Sequence, residues 1–216
     1  MNMNRRQLST ALFLAGIAAS PILPAAAQAT GPVEGKDFSR VETPQPPSAP
    51  AGKVEVLEFF SYACPHCSSF EPTLESWAKQ LPADVSLRRV PVPFLMNADN
   101  FMKTYYALEA LGAVQAVQLK IFRAIHVERQ RLDTGENIAA FVGKNGVDAA
   151  KFLDAFKSFS VATAVSRAKK MVADYKVESV PTLVVAGRWM TSPSQAGSSE
   201  RALAVVDQLV QRTRGK

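Results

Sequence analysis

Residues 58–69 read EFFSYACPHCSS, and they contain Cys64 and Cys67, the only cysteines of the 216-residue chain. Two thiols at this spacing could form a structural staple, half of a metal site or a reaction centre. A disulfide stabilises mainly by closing a loop in the unfolded chain, and the effect grows with loop length. A bridge over two intervening residues closes almost nothing, so the staple reading fails. A closed zinc site needs four donors. Here the thiols are joined only by His66 and the remote His126, with no second ligand pair at a recognisable spacing. Covalent haem attachment needs a histidine directly after the second cysteine, and Ser68 stands there.

The reaction-centre reading fits the local physics. The apolar, aromatic run VEVLEFF (Val54 to Phe60) lies between Gly52 and Ser61 and predicts a central strand covered on both faces. Helical spacing follows at Phe70, Leu74, Trp77 and Leu81. Cys64 is therefore expected at a helix N-terminus, where free amides and the positive end of the macrodipole favour a thiolate. Pro65 suits the first turn, and His66 can add a donor or a charge beside the same sulfur. Cys67, one turn in, is expected to be less exposed and able to attack a mixed disulfide at Cys64. A stabilised Cys64 thiolate favours the reduced dithiol and makes Cys64 a better leaving group. Both effects make the pair an oxidant.

Further out, VSLRRVPV (Val85 to Val92) reads as a second strand, so strand, helix and strand predict a parallel βαβ unit. Pro72 falls inside the helix and is expected to kink it. Asp37 to Glu42 allows a short edge strand, and TPQPPSAPAG after it is a proline-rich arm that cannot be helical. Residues 97–175 show only helical periodicities, for example Phe101/Tyr105/Leu108 and Val161/Val165/Ala168/Val172, and predict four or five packed helices. VPTLVVAGRWM (Val180 to Met190) reads as a hairpin turning at Ala186–Gly187, and a last amphipathic helix carries Leu203, Val206, Leu209 and Val210.

The N-terminus bears Arg5 and Arg6, then an apolar stretch, then small residues at Ala27 and Ala29. This pattern predicts a cleavable signal peptide over residues 1–29 and export, by either the general secretory or the twin-arginine route. Cleavage there lowers the formal net charge from +6 to +4 and leaves 187 residues, enough for a substantial core. The surface charge is mild, with no dense basic run, and makes no case for nucleic-acid binding.

The combination LEFFSYACPHCSSFEP, a helical block and SVPTLVV far downstream resembles the DsbA family of periplasmic thiol:disulfide oxidoreductases. The resemblance implies an α/β thioredoxin fold (residues 30–96 and 176–216) with an inserted all-helical domain (97–175). It implies an enzyme that donates its Cys64–Cys67 disulfide to newly exported, unfolded proteins through a mixed disulfide at Cys64. It further implies that Pro65 and His66 tune the pair, that Pro181 is a cis-proline facing it, and that Val180 offers backbone to the substrate. Pro193 matches a groove-lining position, although the loop Thr191 to Ser199 otherwise departs from the family. The family reading of Glu58 is a buried acid that buffers protons, against the plainer reading of a strand-end side chain reaching solvent. Arg89 matches a basic partner for it, and Glu71 a nearby acid. His126, isolated from any partner at a useful spacing, reads as a surface or packing residue rather than a catalytic one. No cofactor or metal is implied beyond the dithiol itself. The implied partner is a quinone-linked inner-membrane protein of the DsbB type that reoxidises a monomer. The alternatives are a disulfide isomerase or reductase, and a peptide-binding chaperone with an incidental dithiol.

Overall fold

The computed structural model describes residues 31–215; the signal-peptide reading lies outside them. Five strands form one sheet: β1 (Ser39–Arg40), β2 (Val54–Phe60), β3 (Val85–Pro91), β4 (Thr182–Val185) and β5 (Trp189–Thr191). Their order is β1-β5-β4-β2-β3. Only β2 and β3 run parallel, joined by helix α1 (Pro65–Ala78), as a βαβ unit requires. The other pairings are antiparallel.

β2 lies inside the sheet between β4 and β3, and its alternation separates two layers of core. Val56 packs with Phe70 and Leu74 of α1, and with Leu203, Val206 and Leu209 of a C-terminal helix described below. Leu57 and Phe59 face the other way, and Phe59 meets Tyr175 edge-on at 5.5 Å between ring centroids. Glu58 takes the same side as Val56 by alternation, which turns it toward α1.

Between β3 and β4 lie five helices: α2 (Ala98–Ala110), α3 (Val114–His126), α4 (Gly135–Lys144), α5 (Ala149–Lys157) and α6 (Phe159–Asp174). Thr134, Asp148 and Ser158 start the last three by accepting hydrogen bonds from first-turn amides. Their apolar faces continue the core of Leu57 and Phe59 without interruption, from Met102 and Leu108 through Ile121 to Val142 and Phe152. After β5 come the one-turn helix α7 (Pro193–Ala196) and the long helix α8 (Ser199–Arg214).

Two sequence expectations need correction. Helix α1 stops at Ala78 rather than running to Leu81, because Leu81 precedes Pro82 and the helical conformation is disfavoured there. The stretch Thr191 to Ser199, read as loop, contains α7. Ser192 caps it by accepting from the Gln195 amide at 3.0 Å, Pro193 fills the first turn and Gly197 ends it at φ 96°. The proline-rich arm is irregular, as expected, and is pinned at Gln45 and Ser48. The Gln45 amide donates to the Gly187 carbonyl at 3.0 Å, and Ser48 Oγ donates to the buried Glu55 at 2.8 Å.

Candidate active site

The loop Ser61–Ala63 leaves β2 and delivers Cys64 to the cap position of α1. Cys64 keeps extended geometry (φ −88°, ψ 116°), and its sulfur accepts from the Cys67 amide at 3.3 Å. In this role the thiol replaces the usual Ser, Thr or Asp oxygen of an N-cap. Pro65 occupies the first turn, where its missing N–H leaves no bond unmade. Cys64 is 5% exposed and Cys67 fully buried, so an incoming sulfur can reach only the first. Pro65 and His66 are exposed beside it.

Across from the dithiol, the Val180–Pro181 peptide bond is cis. The Cys64 thiol donates to the Val180 carbonyl at 3.4 Å. Thr182 Oγ1 donates to the Ser179 carbonyl at 2.7 Å and ties that loop to the start of β4. Residues more than a hundred positions apart thus meet at one sulfur.

The two thiols are driven in opposite directions. The hydrogen bond from Cys67 lowers the Cys64 pKa most, burial opposes it, and the backbone amides of Cys67 and His66 and the His66 charge assist; the result is about 6. Burial pushes Cys67 far above the ordinary thiol range, and the hydrogen bond and charge of Cys64 push it further. Cys64 is therefore a thiolate at neutral pH and Cys67 a thiol.

Beneath α1 lies a buried ionic cluster. Arg89 stands opposite Glu58 in the β2–β3 register. Its Nη2 donates to Glu71 at 2.8 Å and to Glu75 at 2.6 Å. Its Nε lies 3.0 Å from Glu58 Oε2 without the alignment of a hydrogen bond, and among the described residues neither Glu58 oxygen has a hydrogen-bond partner. Burial raises the Glu58 carboxyl to about 7, against the pull of Arg89. Burial also raises Glu71, to about 9. Sequence reasoning found Glu58, Arg89 and Glu71 but missed Glu75. The signal was present, because Cys67, Glu71 and Glu75 are spaced by four and so share one stripe of a helix.

The inserted helices hold the loop before Cys64. Tyr62 is fully buried, and its hydroxyl donates to Gln118 of α3 at 2.5 Å. His126 Nε2 lies 2.8 Å from the Tyr62 carbonyl, and its ring stacks on Phe122. That is packing and anchoring two residues from the thiol; among the described residues no hydrogen bond joins His126 to the sulfur. Pro193 opens α7, and among the described residues no hydrogen bond joins α7 to the dithiol. Among the same residues no group of three His, Cys, Asp or Glu side chains is placed to hold a metal.

Three comparisons bear on this arrangement. A family model described as a DSBA-like thioredoxin domain matches residues 55–201. A thiol:disulfide interchange protein DsbA of Burkholderia cepacia is 43% identical over 212 residues, covering 98% of this chain and 99% of its own. The DsbA of Pseudomonas aeruginosa is 38% identical over 205 residues, 94% of this chain and 96% of its own. Its crystal structure superposes with a TM-score of 0.81 at 38% identity, covering 85% of this chain and 95% of that one. The oxidoreductase NmDsbA1 from N. meningitidis superposes with a TM-score of 0.75 at 27% identity, covering 85% and 94%.

Proposed function

We propose a function from one premise: the chain belongs to the DSBA-like thioredoxin family. It is a thiol:disulfide oxidoreductase whose redox pair is Cys64 and Cys67. On our reading the pair works as an oxidant. A substrate thiolate attacks Cys64 Sγ, the Cys64–Cys67 bond breaks, and the electron pair leaves on Cys67. A second substrate thiolate then attacks the substrate sulfur of the mixed disulfide. The substrate leaves oxidised and Cys64 departs as the stabilised thiolate.

The observation that carries this direction is the Cys64 sulfur, which caps α1 and accepts from the Cys67 amide at 3.3 Å. A thiolate favoured at about 6 stabilises the reduced protein relative to an ordinary dithiol at every pH above that value. In this scheme Pro65 shapes the first turn, and His66 contributes its amide and charge. Val180, just before Pro181, presents main chain to the substrate strand. Pro193 belongs to the wall of the substrate groove. Glu58 is the acid that supplies a proton to Cys67 when the disulfide opens. The substrates are unfolded proteins newly exported to the periplasm, which this chain reaches through its signal peptide over residues 1–29. The chain acts as a monomer and is reoxidised by a quinone-linked membrane partner of the DsbB type. No bound cofactor takes part.

The test is a redox equilibration of the dithiol in glutathione buffers. A potential well above that of thioredoxin, about −270 mV, is the expected outcome. A value near that of thioredoxin would favour a reductase, and a Cys64→Ala protein that keeps full activity would favour a chaperone.

A further inference from the structure

Three carboxyls and a single guanidinium share the space beneath α1: Glu58 from β2, Glu71 and Glu75 from α1, and Arg89 from β3. Among the described residues, the remaining titratable groups that act on this site are Cys64 and Cys67, Tyr62 from the preceding loop and Tyr105 from α2. Leu183 of β4, which pairs with Glu58 across the sheet, brings no charge. One cation balances one carboxylate. Two further ionised carboxyls would place a net negative charge where water hardly reaches, so the cluster must retain protons.

The hydrogen bonds decide where. Arg89 Nη2 serves both glutamates of α1, and the shorter contact, 2.6 Å, goes to Glu75. Glu75 is also the glutamate of the three that reaches the edge of the cluster, with 9% of its side chain exposed against none for the other two. Glu58 has only the misaligned Nε at 3.0 Å and no hydrogen bond to either oxygen.

We propose that Glu75 is a positioning residue for disulfide exchange: by engaging Arg89 on α1 it withholds that cation's hydrogen bonds from Glu58, which stays a neutral acid near Cys67. The proposal rests on the proton-donor reading of Glu58 given above. When the substrate thiolate bonds to Cys64 Sγ, the electron pair of the broken bond rests on Cys67 Sγ. The Glu58 proton passes to that sulfur, directly or through a water, and gives a neutral thiol. The carboxylate left behind is then neutralised by Arg89 Nε. The charge of Glu75 acts in the stated direction, adding to the burial that holds the Glu58 proton in place.

The experiment compares the wild type with Glu75→Gln, Glu75→Asp and Glu58→Gln. The Glu58 carboxyl is followed by carbon NMR of 13C-glutamate-labelled protein and assigned by its loss in Glu58→Gln. Disulfide opening by a dithiol peptide is followed against pH by quenched alkylation and mass detection. In Glu75→Gln the Glu58 transition should fall by about one pH unit or more, tenfold in proton affinity, and the pH profile of disulfide opening should move with it. Glu75→Asp, which keeps the charge, should restore most of both, as a purely steric defect would not. A Glu58 transition that stays in place in Glu75→Gln overturns the role of Glu75 whatever the kinetics. A Glu58→Gln protein with the wild-type pH profile overturns the proton-donor reading beneath it, even where the carboxyl has moved.

Discussion

Glu58 is fully buried, and among the described residues neither of its oxygens has a hydrogen-bond donor. Such a carboxyl opposes folding unless it keeps its proton. Its folded-state pKa is raised to about 7 from 4.5, so the native state holds a proton over the interval in which the unfolded chain has released it. Stability then falls as pH rises from about 4.5 to 7, and the penalty is complete above that window. Replacing Glu58 with Leu removes the penalty. It leaves no orphaned cation, because Arg89 keeps its bonds to Glu71 and Glu75. We expect Glu58→Leu to raise stability by about 1–3 kcal/mol at pH 7.5. Almost none of that gain should remain at pH 4.5, as measured by urea denaturation at the two pH values. A loss of stability at pH 7.5 would mean that the Glu58–Arg89 pair is a net asset to the fold. The burial of Glu58 was legible from strand alternation, whereas Arg89 as its partner came from the family resemblance alone and is placed opposite it by the β2–β3 register. What the spacing did not disclose is that the arginine's hydrogen bonds go elsewhere, since that depends on how α1 sits over the sheet.

At the scale of elements, the β4–β5 hairpin ties the proline-rich arm to the sheet that carries Pro181. Its turn residues Ala186 and Gly187 both have positive φ, 50° and 66°, and the Arg188 amide closes the turn by donating to the Val185 carbonyl at 3.0 Å. Gly187 is constrained twice, because a Cβ there would fall 1.9 Å from the backbone carbonyl oxygen of Gln45. The arm cannot yield cheaply, since the Gln45 amide is bonded to the Gly187 carbonyl. Gly187→Ala should therefore cost about 2–4 kcal/mol, combining backbone strain with overpacking, and a thermal melt would read it. A shift of less than a degree would show that the arm is only loosely held. The hairpin itself could be read from sequence, because two β-branched and aromatic runs flank a glycine. The arm's path across it could not, as that path depends on hydrogen bonds spanning more than 140 residues. Helix α7 is the opposite case. Its Ser-Pro-x-Gln start and its closing glycine are local signals, set in a stretch whose four serines read equally well as loop.

At the scale of the molecule, the inserted helices share one continuous core with β2, so the topological boundary near residues 97 and 175 divides no hydrophobic interior. Periodicity revealed the helices, but not which of their polar residues would turn inward. Gln118 lies among the apolar positions of α3 and is 1% exposed. Its Oε1 accepts from Tyr62, 56 residues earlier in the chain, and its Nε2 has no partner. This bond joins the helical block to the loop that places Cys64. Tyr62→Phe would keep the ring, which packs on Phe60, Phe101 and Phe122. It would leave the Gln118 amide wholly unsatisfied, so a loss of about 1–3 kcal/mol is expected. Removing both partners differs from removing one: in Tyr62→Phe/Gln118→Leu no polar atom of the pair remains to be desolvated, and most of the loss should return. Urea denaturation of the two single variants and the double variant closes the cycle. The His126 contact to the Tyr62 carbonyl survives in all of them, so Cys64 should keep its thiolate absorbance near 240 nm down to about pH 6. A double variant no more stable than Tyr62→Phe alone would mean that the loss lies in ring packing rather than in the stranded amide.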